Sequence, residues 1–143
     1  MTSPHPDGDP TIRAMKHALD DASTNPEEID YINGHASSTQ VNDANEAHCI
    51  HAVFGGRASS IPVSGTKAYT AHPLGATGAL EAVICCLAMN EGYLPPTLHY
   101  ETPDPACKLD VIPNKGREGS PRKILSNSFG FGGINACLVL GRV

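Results

Sequence analysis

Apolar residues fall at positions 12, 15, 18, 19 and 22 of "TIRAMKHALDDAS", a spacing that predicts an amphipathic helix. "NPEEIDYING" supplies a turn and then a short strand around Ile29 to Asn33. "NDANEAHCIHAVFGG" opens with cap-type residues and ends in Gly55-Gly56, which brackets a second helix. "SIPVSGT" reads as a short strand. In "HPLGATGALEAVICCLAMNEG", Pro73 suits a first helical position and Gly92 a C-terminal stop. This helix is apolar on most sides, so it is expected to be buried between layers. The stretch from Tyr93 to Pro121 is broken by prolines, with short extended pieces between them. "KILSNSFGFGGINACLVLGRV" then predicts two strands joined by a glycine turn, Gly130 to Gly133. Helices alternating with strands point to an α/β layer in one domain over residues 1–143.

Bulk properties narrow the function classes. The chain has 143 residues, 40% of them hydrophobic and 17% charged, which describes a globular domain. A formal charge of −5 argues against general nucleic-acid binding, which needs clustered Lys and Arg. The N-terminus shows no basic-then-apolar pattern of a signal peptide. The longest apolar run, "ALEAVICCLAM", reads as too short for a membrane span and carries Glu81. Cysteines stand at positions 49, 85, 86, 107 and 137, an odd count with no C-x-x-C pair. Reduced thiols in a cytoplasmic protein are the simplest reading, with Cys85 and Cys86 packed as small hydrophobes.

Two clusters carry candidate chemistry. His35 follows a strand and precedes Ser37, Ser38 and Thr39; Lys67 and His72 sit in "TKAYTAHPLGATGA". Each histidine also has a bland reading, as a buried ring satisfied by backbone. "HCIH" (48–51) places His48 and His51 on one helix face beside Cys49, but no further ligand cluster accompanies them, so no metal site is expected. Lys115, Arg117, Arg122 and Lys123 form a basic stretch that suits either an acidic partner or a solvated loop.

Three ordered motifs, "NGHASSTQVND", "TKAYTAHPLGATGA" and "SNSFGFGG", resemble the C-terminal half of the β-ketoacyl-acyl carrier protein synthases, the condensing enzymes of fatty-acid synthesis. "LPPTLHYETPDPACKLDVIPN" is similar to the family's run between the last two motifs, so the resemblance covers nearly the whole chain. Ala36 and Ala71 stand where the family usually has Gly or Ala and Gly; Gly34 stands where it usually has Ala, and Ser37 replaces a usual Thr.

The resemblance implies a thiolase-like fold, a mixed sheet flanked by helices, and an acyltransferase that performs a decarboxylating Claisen condensation. It implies His35 and His72 as catalytic N–H donors to a developing oxyanion, with Lys67 beside them. Lys67 is expected to form an internal ion pair with Glu46, with Asp43 close by; a purely structural pair is the alternative. Ser37 and Thr39 match hydroxyls that bind the phosphopantetheine arm of acyl carrier protein, against a reading as turn caps. Phe131 matches a gate at the acyl pocket, its N–H part of an oxyanion hole, against a reading as a hairpin turn. Asn33 and Glu81 match positions that hold a monovalent cation in some members. No other cofactor is implied. The resemblance further implies acyl carrier protein and a cysteine-bearing N-terminal half as partners, a homodimer in the full-length enzyme, and a cytoplasmic or organellar-matrix location. None of the five cysteines matches the family's nucleophile, so the chain alone is expected to be inactive and to expose apolar surface. A non-catalytic chain-length-factor-like subunit and an inactive fragment remain alternatives; His35, Lys67 and His72 argue against the former.

Overall fold

The structure is a computed structural model that describes residues 3–142. Helix α1 spans Asp9–Asp21 and leads into strand β1, Tyr31–Asn33. Helix α2 (Gln40–Phe54) connects β1 to β2, Pro62–Ser64. A short helix α3 (Lys67–Thr70) precedes the long helix α4, Thr77–Glu91. Strands β3 (Tyr93–Leu94), β4 (Asp110–Val111) and β5 (Arg117–Glu118) follow, then the hairpin β6 (Lys123–Phe129) and β7 (Asn135–Gly141).

The main sheet has the order β4-β2-β1-β6-β7. Its first three pairings are parallel and β6–β7 is antiparallel. Strands β3 and β5 form a separate antiparallel pair. Because side chains alternate across a sheet, Ile32 and its register partner Leu125 face α1 and α2, where they pack with Met15, Leu19, Ile50 and Phe54. Tyr31 and its partner Ile124 face the other way and pack against Cys85, Ala88 and Met89 of α4. Helices thus cover both faces of a mixed sheet, the layering expected of α/β alternation.

At the C-terminal ends of the parallel strands the side chains turn polar while staying buried: Asn33 on β1, Ser64 on β2, Ser126 and Asn127 on β6. In open α/β sheets this edge is where ligands bind, and the chain direction diverges on either side of β1 here.

Helix α4 differs from its sequence expectation in two respects. It begins at Thr77, after a 3₁₀ turn at Leu74–Ala76, and Pro73 precedes that turn. It is also buried on one side only. Thr77, Glu81, Cys85, Ala88 and Met89 face inward, while Leu80, Val83 and Leu87 remain 40%, 56% and 54% exposed and Cys86 is exposed. One sheet can cover only one face of a helix, and nothing among the described residues covers Leu80, Val83 and Leu87 on the other. With the 3₁₀ turn included, Leu74–Glu91 has the length and composition to cross a membrane, contrary to the run-length reading. Its inner face is nonetheless packed on the sheet, with Glu81 fully buried. Gly92 closes the helix in the left-handed conformation, as its position predicted.

Candidate active site

His35 sits in the loop between β1 and α2, 6% exposed. The loop is tightly turned, with positive φ at Ala36 (38°) and Ser38 (61°). It is held from below by Glu46 of α2. Glu46 Oε1 accepts the His35 N–H at 2.8 Å, and Oε2 accepts the Ala36 N–H at 2.8 Å. Asn127 of β6 donates from Nδ2 to the same Oε1 at 3.0 Å. Burial pushes the Glu46 carboxyl up, and the three N–H donors oppose that shift. Gly65 lies against the loop, where any Cβ would come within 2.7 Å of the Ala36 methyl. That close approach requires glycine.

His72 lies between α3 and the 3₁₀ turn and is exposed. Its ring meets that of His35 edge-to-face, with centroids 5.4 Å apart and planes at 79°. Its Nδ1 lies 3.1 Å from the hydroxyl of Thr77, the first residue of α4. The ring of Phe129, at the end of β6, packs on the second side of His35 at 5.5 Å. Burial, with Lys67 and His72 as nearby charges, lowers the His35 pKa to about 4. The ring is therefore neutral at physiological pH and carries one N–H.

Lys67 begins α3 and is buried, and its partner differs from the expected one. Its ammonium contacts Glu81 Oε1 at 2.5 Å, with side-chain exposures of 6% and 0%. Glu46 instead accepts three N–H groups, from His35, Ala36 and Asn127. Asn33, also fully buried, accepts from the Thr66 hydroxyl at 3.3 Å and faces Ser126 Oγ at 3.5 Å. Glu81 Oε2 has no hydrogen-bond partner among the described residues.

Of the remaining candidates, Asp43 lies in the first turn of α2, its carboxyl pushed up by burial and bonded by Asn42 Nδ2 at 3.2 Å. Thr39 is the N-cap of α2, its hydroxyl accepting the Asn42 N–H at 3.3 Å and lying 3.2 Å from Ser37 Oγ. Both hydroxyls therefore have local partners. Phe131 lies in a 3₁₀ turn with its side chain 74% exposed; the phenylalanine packed on His35 is Phe129. Sequence reasoning singled out neither Phe129 nor Asn127, although both stand in "SNSFGFGG". The alternation of β6 was the available signal.

Among the described residues, no group of three or more His, Cys, Asp or Glu is placed to hold a metal ion. Two of the four basic residues in the stretch from Lys115 are engaged, Arg117 with Asp110 and Lys123 with Glu28. Burial pushes the thiols of Cys49 to about 11 and of Cys85 and Cys137 to about 12.

Two further carriers of backbone strain flank His72. Leu74 has φ 49°, and Ala71 has φ 58° with ψ −170°, a region occupied almost solely by glycine.

A sequence description of the beta-ketoacyl synthase C-terminal domain matches residues 1–101. The 3-oxoacyl-[acyl-carrier-protein] synthase 2 of Coxiella burnetii is 48% identical over all 143 residues, and that of Staphylococcus aureus 45% over 139. The chain spans 34% of each, about a third of the length of these curated relatives. Among solved structures, a type II PKS acyl-carrier protein in complex with its ketosynthase bound to the hexaketide matches with TM-score 0.97 and 41% identity, over 100% of this chain and 35% of that one. The ishigamide ketosynthase/chain length factor matches with TM-score 0.94 and 39% identity, over 99% and 34%. A beta-ketoacyl synthase from Burkholderia phymatum matches with TM-score 0.90 and 39% identity, over 96% and 33%.

Proposed function

The chain belongs to the β-ketoacyl synthase family, with the thiolase-like fold of that family, and from that premise we propose that it supplies the two-histidine portion of a 3-oxoacyl-acyl-carrier-protein synthase. The observation that carries this reading is the contact of His35 and His72 at 5.4 Å, with His35 held neutral. An acyl group waits as a thioester on a cysteine outside this chain. Malonyl thioester loses CO2, and the electron pair of the broken C–C bond moves onto the thioester oxygen as an enolate. The two imidazoles donate N–H bonds to that oxygen, which lowers the barrier without an exchange of protons. His72 Nδ1 lies 3.1 Å from the Thr77 hydroxyl; in the tautomer where that hydroxyl donates, Nε2 carries the proton and is the free donor. The carbanion carbon then attacks the acyl carbonyl and expels the cysteine thiolate.

Around this pair, Lys67 and Glu81 form the charged floor, and Asn33 with Glu81 would hold a monovalent cation that fixes the Glu81 carboxylate. Ser37 and Thr39 lie at the mouth of the loop, where they would exchange their local bond for amides of the phosphopantetheine arm. Phe131, exposed at the hairpin, would close on the acyl chain. The partners are acyl carrier protein and the cysteine-bearing remainder of the enzyme, which assembles as a homodimer in the cytoplasm. No cofactor beyond the carrier's arm takes part. Decarboxylation of malonyl-carrier protein tests the reading. His35→Ala and His72→Ala should each lower it by two orders of magnitude or more, roughly what removal of an oxyanion donor costs. Equal rates in wild type and both variants would refute it.

A further inference from the structure

Asn127 is fully buried on β6, and its side-chain hydrogen bond goes to Glu46 rather than to a histidine. Its Nδ2 donates to Glu46 Oε1, the oxygen that also accepts the His35 N–H, while Glu46 Oε2 accepts the Ala36 N–H. We propose that Asn127 is a positioning residue for His35: it fixes the rotation of the Glu46 carboxylate so that both oxygens hold the loop amides of His35 and Ala36. This inference rests on the reading of His35 as a reacting imidazole.

Three features support it. A carboxylate turns readily about its last torsion, because that rotation is broad and nearly two-fold. Two adjacent backbone N–H groups belong to the loop itself; a third donor from the strand anchors the carboxylate to the sheet. The second feature is common origin. Asn127 and Phe129 both lie on β6, so one strand holds His35 through its backbone, by way of Glu46, and through its ring, by way of Phe129. The last feature is asymmetry within the amide. Asn127 Oδ1 is buried without a hydrogen-bond partner among the described residues. An amide kept in a core with half its polar groups unmet costs stability, so the donor half serves something other than packing. The turn it serves carries Ala36 at φ 38°, a conformation that needs holding.

The test is nuclear magnetic resonance on the isotopically labelled 143-residue chain. In wild type, scalar couplings across hydrogen bonds should link the His35 and Ala36 amide nitrogens, and Asn127 Nδ2, to the Glu46 side-chain carboxyl carbon. In Asn127→Ala those two backbone couplings should be lost, both amide protons should shift upfield, and the cross-peak between the His35 and Phe129 rings should weaken. Asn127→Asp, which sets a second carboxylate against Glu46, should do the same. Wild-type spectra without the couplings would overturn the proposal even if neither variant folds, as would variants whose His35 and Ala36 amides do not move. In the assembled enzyme Asn127→Ala should lower kcat roughly ten- to a hundredfold with KM nearly unchanged, as a small misplacement of a reacting group does. Unmoved amides sink the positioning role alone, whereas a silent His35→Ala sinks the functional reading beneath it.

Discussion

Lys67 contacts Glu81 at 2.5 Å inside the protein, and Glu46 serves the His35 loop instead. The two carboxylates thus have separate tasks, one balancing a buried ammonium and the other shaping a turn. Removing one partner of a buried pair leaves an uncompensated charge. Lys67→Ala and Glu81→Ala are each expected to destabilise the fold by about 3–5 kcal/mol, while an apolar pair of similar size costs far less. Chemical denaturation of the single and double variants checks this. The Lys67/Glu81 cycle should show coupling above roughly 1 kcal/mol, and the Lys67/Glu46 cycle less than about 0.5 kcal/mol.

Histidine 35 should titrate near pH 4, measured from its ring resonances. Its folded-state pKa lies below the ordinary value of about 6.5, so the unfolded chain binds more protons between those two limits. Stability tied to this ring is therefore complete above about pH 6.5 and is lost as pH falls through about 4. The loss should be roughly 1–2 kcal/mol, less than the full shift would give, because the exposed His72 lets solvent screen the ring. Replacing His35 with Asn should flatten that part of the pH–stability curve.

Ala71 is expected to be a strained position. Its φ of 58° with ψ of −170° suits glycine, and the family usually has glycine there. Ala71→Gly should raise stability by about 1 kcal/mol, the relieved strain exceeding the added chain entropy. Thermal unfolding that shows a loss instead would place the backbone in an ordinary conformation.

Much of this was legible in the sequence. Alternation and caps located α1, α2, α4 and the β6–β7 hairpin, because each has a strong period and clear punctuation. The first two motifs supply His35 and His72, whose rings meet at 5.4 Å. What failed was pairing at the level of single carboxylates. Glu46 and Glu81 both lie on helices that face Lys67's neighbourhood, and only the loop N–H groups decide which one is free. The apolar stripe left exposed on α4 agrees with the expectation that this chain exposes apolar surface, because hydropathy reports that a face wants cover, not whether this chain supplies it. Phe129, which packs on His35, was not picked out because strand alternation at the end of β6 was not followed through.

That stripe, Leu80, Val83 and Leu87, lies one to two turns apart on one helix face. It should bind a fluorescent apolar dye and drive association of the chain. Val83→Glu with Leu87→Lys should abolish both while changing unfolding free energy by less than about 0.5 kcal/mol per site, as surface changes do. Sedimentation showing a dye-silent monomer before any substitution would contradict it.

On the proposed function, this chain carries the histidines of a condensing site and takes its nucleophile from elsewhere. The thiols of Cys49, Cys85 and Cys137 are held far from the thiolate form. The most direct measurement is condensation of acyl- and malonyl-carrier protein by the purified chain, with and without a family segment that carries the nucleophilic cysteine. Product should form only with that segment present, and His35→Ala or His72→Ala should remove most of it. Condensation by the chain alone, persisting after all five cysteines are changed to alanine, would contradict the account.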